Sequence, residues 1–432
     1  MRPVGGTIGI AWFLSVCCGC ATAPTVRLDQ GPVQDKLQSL ETYVLEDARK
    51  FQELLDESGA VYDEPVLQVY LDELTRPLLP QVDPSSPYRI RLKVIRDPTL
   101  NAFTLGNGAI YFNTGLIARL TSAEQFAFIM GHEIGHVVNR DLVYFTDSYQ
   151  RKTVATKLTE LVLSPALATV GLSGVGELGL SMAYLASVTG FGREREAAAD
   201  EESLAVMERL GYDLREAQRI FEIFLAEHER YERGIEISFL SSHPSNIERL
   251  KAVKELMGAR ALDVFAPAKE DAAFLEATQQ LRVENAAFNL QLGRYYHAVE
   301  DLQVILRRKP EDAAAHFYLA EAYRLIAEDP KKLKSELNRS TWRQMSDIAE
   351  SEQAPYWQGR AREEYAAAMA QDPQFPHPYR GMGLLLMAQG RPDEALKQFE
   401  RYLQLSPTAK DRRFVLAQIE RVRGIPAIEE EP

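Results

Sequence analysis

Cysteine is almost absent from this chain, and the few that occur are confined to one place. All three, Cys17, Cys18 and Cys20, lie within the first 20 of 432 residues. The body of the protein therefore has no disulfide framework, no thiol nucleophile and no zinc thiolate. Histidine is scarce too, with seven in all. Basic charge is in deficit: 49 Lys and Arg against 62 Asp and Glu leave a formal net charge of −13. Phosphate backbones are held by basic surfaces, so nucleic acid is excluded as a partner. Long apolar runs are also missing. The uncharged stretches Leu161 to Gly176 and Leu178 to Gly192 are separated by Glu177 and broken by Pro165 and glycines. Each is shorter than the roughly 18 residues of a spanning helix. They predict two buried or lid-forming helices that touch a membrane surface at most.

What is present can build large cores. The apolar fraction is 46%, ordinary for globular proteins, and the length predicts two or three domains. Within this background stands Gly131-His132-Glu133-Ile134-Gly135-His136, of the form H-E-x-x-H. It lies in a predicted helix, Thr121 to Asn139, with a capping box from Thr121 and Glu124. Positions four apart share a helix face, so His132 and His136 project side by side and can grip one zinc ion. Glu133 sits beside that ion as a general base for water, the arrangement of a metallopeptidase. By composition alone such a match arises in on the order of one per cent of chains like this one. The competing explanation is a surface helix with two solvated histidines. Apolar flanks (Phe126 to Met130, Val137, Val138) oppose it, because buried polar groups need partners.

Residues Met1 to Ala23 read as an export signal, with Arg2 as the positive start and Ile8 to Val16 as a short apolar core. Two endings compete. Cleavage before Cys20 gives a lipidated N-terminus of the bacterial lipoprotein type, although Cys17 stands where such signals usually carry Leu. Cleavage after Ala21-Thr22-Ala23 gives a soluble exported protein. An uncleaved anchor is the third alternative. All three place the body outside the cytoplasm, most simply in a periplasm, and the expected address is the periplasm of a Gram-negative bacterium.

Downstream, Val33 to Ser58 predicts a helix burying Leu37, Leu40, Val44 and Leu45. Val66 to Leu79 predicts another, with Val66, Tyr70, Leu71 and Leu74 inward. Tyr88 to Ile95 alternates apolar and basic residues, as a half-buried strand does. Asn107-Gly108 signals a hairpin, followed by a short strand, Ala109 to Asn113. At a sheet edge that strand could pair with an extended peptide substrate; otherwise it is a plain hairpin.

Asn101-Ala102-Phe103, the Tyr111 to Gly115 segment and the His132 to His136 motif together resemble the HtpX/CAAX-endopeptidase family of zinc peptidases. Catalytic zinc usually takes three protein ligands. The candidate source of the third is Arg193-Glu194-Arg195-Glu196-Ala197-Ala198-Ala199-Asp200, where Glu196 and Asp200 share a helix face. The family's E-x-x-x-D motif, carried over, makes Glu196 the third ligand and Asp200 the acceptor of a ligand histidine's N–H. Glu194, Glu201 and Glu202 remain alternatives, as does a solvated charged helix. Tyr212 to His228 predicts an amphipathic helix. The resemblance also implies an H-P-x-x-x-x-R element near the site, here His243 to Arg249. His243 would then stabilise an oxyanion or latch the metal, unless it merely caps a helix.

From Ala266-Pro267 onward the chain becomes self-similar. Leu292 to Pro310 and Gly390 to Pro407 each fit the second helix of a tetratricopeptide repeat, and Pro373 and Pro407 are spaced by that repeat's period. Tyr365, Ala368 and Pro373 close a further unit. Its first helix, His316 to Ile326, is set apart by an insertion near Lys331 to Glu352. About three degenerate repeats follow, offering a concave surface for another protein or serving only to stabilise the peptidase.

The sequence thus predicts a mainly α (α+β) fold. Residues 1–23 are the signal, 24–265 a zinc peptidase domain with a small sheet, 266–426 the repeats and 427–432 a tail. One Zn2+ per chain is expected, with Glu133 and His243 catalytic. Expected substrates are unfolded or misfolded proteins. The resemblance implies clients among stalled outer-membrane β-barrel proteins and docking of the repeats to their assembly machinery. It leaves room for peripheral or lipid-anchored membrane contact. The alternative is a chaperone or adaptor whose zinc site is latent or inactive.

Overall fold

The computed structural model describes residues 26–81, 85–152, 191–230, 246–258, 270–331, 336 and 353–424. The leader with Cys20, the Leu161 to Gly176 run, nearly all of the second uncharged run, His243 and the 427–432 tail lie outside them. Among the described residues no helix is long and apolar enough to cross a membrane.

The first half is built on a three-stranded sheet of order β1-β3-β2, with β1 Arg91–Ile95, β2 Ala102–Thr104 and β3 Ala109–Asn113. β1 runs parallel to β3, with Val94 opposite Phe112. β2 and β3 form the antiparallel hairpin, with Phe103 opposite Tyr111. The turn is one residue longer than an Asn-Gly pair. Gly108 N–H bonds Leu105 O at 3.0 Å, closing a turn over Gly106 and Asn107. Gly108 itself then takes φ +94°, the left-handed residue that ends a three-residue hairpin loop. β3 is the central strand, paired on both sides, so its backbone groups are spoken for and cannot receive a substrate peptide. The edge position that peptide pairing would require is thus not met, and the plain hairpin stands.

Strand alternation gives the sheet two apolar faces. Phe103, Tyr111 and Ile95 face helix α1, Asp35–Glu57, which buries Val44, Ala48, Phe51 and Leu55 against them. Leu92, Val94, Ile110 and Phe112 face the other way. There they meet α2, Pro65–Thr75, and α4, Ala123–Val138; the short α3, Thr114–Arg119, links β3 to α4. Leu67 and Leu71 are the inward residues of α2, whereas Val66 is 77% exposed. Glu64 caps this helix from outside and turns Val66 to solvent.

Three further helices close the core: α5 Asp141–Lys152, α6 Arg193–Arg209 and α7 Arg215–Arg230. α8, Asn246–Met257, packs on α6 and α7 and adds Val253 and Met257. Phe126, Phe128, Phe221 and Phe224 are all under 2% exposed. Each contributes about 2–3 kcal/mol through burial.

The second half is a stack of antiparallel helices. They are α9 Ala272–Ala277, α10 Gln279–Gln291, α11 Tyr295–Arg308, α12 Ala313–Glu328 and α13 Gln353–Gln371. α14 His377–Ala388, α15 Pro392–Leu405 and α16 Arg412–Arg423 complete it. Each helix packs on the next, and the small–large repeat positions Ala298, Tyr365, Ala368, Ala395 and Phe399 are fully buried.

The two halves share α10. Its Leu281 packs into the peptidase-side core, and its Val283, Ala286 and Leu290 pack into the repeat core. Arg282, buried, donates to Ala118 O at 2.5 Å, to Ile117 O and to Leu120 O, filling the C-terminal carbonyls of α3. Thr114 bonds Asn285 at 2.9 Å, and Phe274 of α9 lies 6.5 Å from Phe126.

Candidate metal centre

α4 is buried from Gln125 to Val138. Its N-cap is Ser122, whose hydroxyl accepts Gln125 N–H at 3.2 Å. The cap expected from Thr121 is therefore supplied one residue later, by Ser122 alone. Thr121 O is occupied elsewhere, accepting Asp271 N–H at 2.9 Å, while Gln125 reaches back to Thr121 N–H at 2.7 Å.

α6 lies unusually close to α4 because glycines line the contact. A Cβ on Gly131 would stand 2.7 Å from Ser203 Oγ, and one on Gly135 would stand 3.2 Å from Ala199 Cα. Close approach lets the short reach of Glu196 suffice. His132 Nε2 and His136 Nε2 are 3.0 Å apart. Glu196 Oε2 is 3.4 Å from the first and its Oε1 3.7 Å from the second. These three buried residues form a group able to hold a metal ion. Two ligands about 2.05 Å from a tetrahedral zinc stand about 3.3 Å from each other, which matches this triangle.

The outer nitrogens fix the tautomers. His132 Nδ1 is 2.9 Å from Asp200 Oδ1, and His136 Nδ1 is 2.7 Å from Asp141 Oδ2. Each Nδ1 therefore carries the proton, assigned from its carboxylate partner, and both Nε2 lone pairs converge on one point. Two such lone pairs at 3.0 Å repel, and a cation between them turns that repulsion into attraction.

Each carboxylate is braced by a guanidinium. Arg249 of α8 donates to Asp200 at 2.8 and 2.6 Å, comes within 3.3 Å of Glu196 and lies over the Phe221 ring. Arg195 pairs with Asp141. Without a metal, burial and Arg249 push the His132 pKa down, but Asp200 and Glu196 outweigh them and raise it to about 9, so a bound zinc takes the place of a proton on Nε2. Burial works against the charge of Asp200, yet Arg249 draws its pKa to about 2. Glu133, fully buried, adds a fourth carboxylate to Glu196, Asp200 and Asp141. Against two guanidiniums this leaves two negative charges that a divalent cation would cancel. The donor set fits zinc.

Of the residues singled out in the sequence, His132, His136, Glu196 and Asp200 come together, with Glu133 beside them. Glu194, Glu201 and Glu202 do not join the triangle, and Glu202 instead pairs with Arg27. Asp141, Arg195 and the role of Arg249 were missed. The only local signal for Asp141 was a carboxylate five residues after the second histidine.

Residues 65–257 match the model of Peptidase family M48. The chain carries an M48 peptidase domain. Residues 376–419, spanning α14 to α16, match a tetratricopeptide repeat. The chain is 26% identical over 304 residues to a putative beta-barrel assembly-enhancing protease of Vibrio cholerae, covering 62% of the chain and 60% of that protein. It is 28% identical over 170 residues to the mitochondrial metalloendopeptidase OMA1 of Schizosaccharomyces pombe, covering 39% and 47%. It is 25% identical over 197 residues to the beta-barrel assembly-enhancing protease of Escherichia coli K12, covering 45% and 39%. The chain thus spans between about two fifths and three fifths of the length of these relatives.

Proposed function

We propose that this protein is an exported zinc endopeptidase that removes misfolded or stalled envelope proteins during outer-membrane β-barrel assembly. The observation that carries the peptidase reading is the convergence of His132 Nε2, His136 Nε2 and Glu196 within 3.0 to 3.7 Å, with Glu133 next in sequence. In this reading residues 24–265 form the peptidase unit and 266–426 the repeats, which hold a partner in the assembly machinery. The client class rests on the names of the Vibrio and Escherichia relatives. The periplasmic address rests on the leader, with Cys20 as the lipidation site if the lipoprotein ending is used.

Zinc, when bound, polarises the scissile carbonyl and makes water a stronger acid. Glu133 takes the water's proton and delivers it to the leaving amine. His132, His136 and Glu196 hold the ion, and Asp200 keeps His132 in the ligating tautomer. His243 acts on the developing oxyanion or latches the site.

Glu133→Gln tests this. It should retain zinc and lose about 10²–10⁴-fold in cleavage of an unfolded polypeptide. Unchanged cleavage would reject the assignment. A second reading, an adaptor whose site is normally shut, is favoured by the burial of all four motif and ligand residues, each at most 1% exposed. Full rescue of envelope function by Glu133→Gln would support it.

A further inference from the structure

We infer that Asp141, braced by Arg195, is the positioning residue that locks His136 into its metal-binding orientation, and that the strained turn at Arg140 exists to deliver it. The inference rests on the metallopeptidase reading and extends it to residues that the sequence motif does not include.

Asp141 is the first residue of α5 and is 1% exposed. Its Oδ2 accepts the Nδ1–H of His136 at 2.7 Å, and its Oδ1 accepts from Arg195. Arg195 precedes the ligand Glu196 in α6 and lies over the Tyr144 ring at 4.9 Å. One turn of α6 thus supplies a ligand to the metal and a brace to the opposite ligand's carboxylate. The arrangement mirrors His132–Asp200–Arg249, so each imidazole is backed by a carboxylate and a guanidinium. Such partners hold the ring in one plane and raise its basicity toward the metal.

Asp141 reaches this place through an unfavourable backbone. α4 ends at Val138, and Arg140 takes φ +53°, the only non-glycine positive φ among the described residues. That conformation costs about 1–2 kcal/mol for a residue with a Cβ, and strain of this kind collects at functional sites. It is held by the side chain of Arg140 itself, which bonds Glu41 at 2.8 Å and the carbonyls of Val26 and Gly31 at 2.8 Å each. Val26 N–H bonds Tyr144 Oη at 2.7 Å. A helix running straight on past Val138 would carry residue 141 away from His136. The turn brings it back, and the segment from Val26 to Gly31 pins the turn.

The test is zinc affinity of the full-length chain, measured by competition with a chromophoric chelator, with the visible spectrum of the cobalt(II) form as a second readout. Asp141→Ala is expected to bind zinc 10–100-fold more weakly and to shift the cobalt bands. Asp141→Asn keeps an acceptor oxygen and should fall between Ala and wild type. Arg195→Met should weaken binding at least threefold, and adding it to Asp141→Ala should cost nothing more, because Arg195 acts through Asp141. Should Asp141→Ala fail to fold, Arg195→Met decides by the same threefold limit. Asp141→Ala or Arg195→Met that weakens binding less than threefold relative to a zinc-binding wild type overturns the inference and leaves the peptidase reading intact. A wild type that takes up no zinc overturns the peptidase reading itself.

Discussion

The approach of α6 to α4 makes a sharp prediction for Gly131→Ala. The added Cβ would stand 2.7 Å from Ser203 Oγ and 3.3 Å from Ser203 Cα. The hydroxyl cannot simply swing aside, because it donates to Phe128 O at 2.6 Å. Ordinary carbon contacts are about 3.5–4.0 Å, so α6 must retreat by roughly 0.5–1 Å. Overpacking of this kind costs about 1–3 kcal/mol, and replacing a helical glycine by alanine returns about 1 kcal/mol. The net loss is roughly 0–2 kcal/mol, a few degrees in Tm. The metal site is far less forgiving. Glu196 rides on α6 at 3.4 and 3.7 Å from the two imidazole nitrogens, and ligand distances tolerate only about ±0.2 Å. Zinc affinity should therefore fall at least tenfold while the fold survives. Gly135→Ala, at 3.2 Å from Ala199 Cα, should act in the same direction. Calorimetry and chelator competition on both variants measure the two quantities separately. Wild-type zinc affinity in both would refute the idea that helix spacing sets the reach of Glu196.

Chelation should lower Tm and addition of zinc restore it, by about 2.7 kcal/mol of stability at free zinc one hundred times Kd. Arg282→Met removes the donor for three carbonyls at the end of α3. It should cost roughly 2–4 kcal/mol and split a single calorimetric transition into two. The His316 ring contacts Glu364 at 2.6 Å, and this contact raises its pKa above the usual 6.5. Its contribution is present in full below pH 6.5 and is lost as pH rises through the raised value. A proton NMR titration should show the shift, and Glu364→Gln should reduce it, the Pro310 carbonyl and Asp312 supplying the remainder.

How much of this was legible beforehand follows from the range of each signal. The H-E-x-x-H helix, α1 and the repeat helices rest on spacings within one element, and they formed where the periodicity put them. The sheet order did not follow from spacing, because the parallel pairing of Arg91–Ile95 with Ala109–Asn113 skips the intervening strand. That is why β3 looked like a candidate edge. Val66 was misplaced because a short helix offers two plausible apolar faces until Tyr62 and the sheet choose one. The cap falls on Ser122, while the Thr121 hydroxyl accepts from the Gln125 side chain instead. Arg195 reads as an ordinary surface charge, and Arg249 is brought near the site only by the resemblance and without a role, since their partners come from other helices. Asp141 was hidden by the reversal at Arg140, a backbone state that nothing in the local composition announces.

The shared helix α10 has one further implication. A catalytic module joined to a recognition module by slack chain searches a volume, and its cutting rate depends on tether length. Here there is no slack. Leu281 and Val283, two residues apart, sit in different cores, so under the proposed function cargo seated on the repeats would be presented from one fixed direction. Selectivity would then become a matter of reach: a client would be cut when its loose segment is long enough to bridge a set gap, and a folded client with no such segment would be spared.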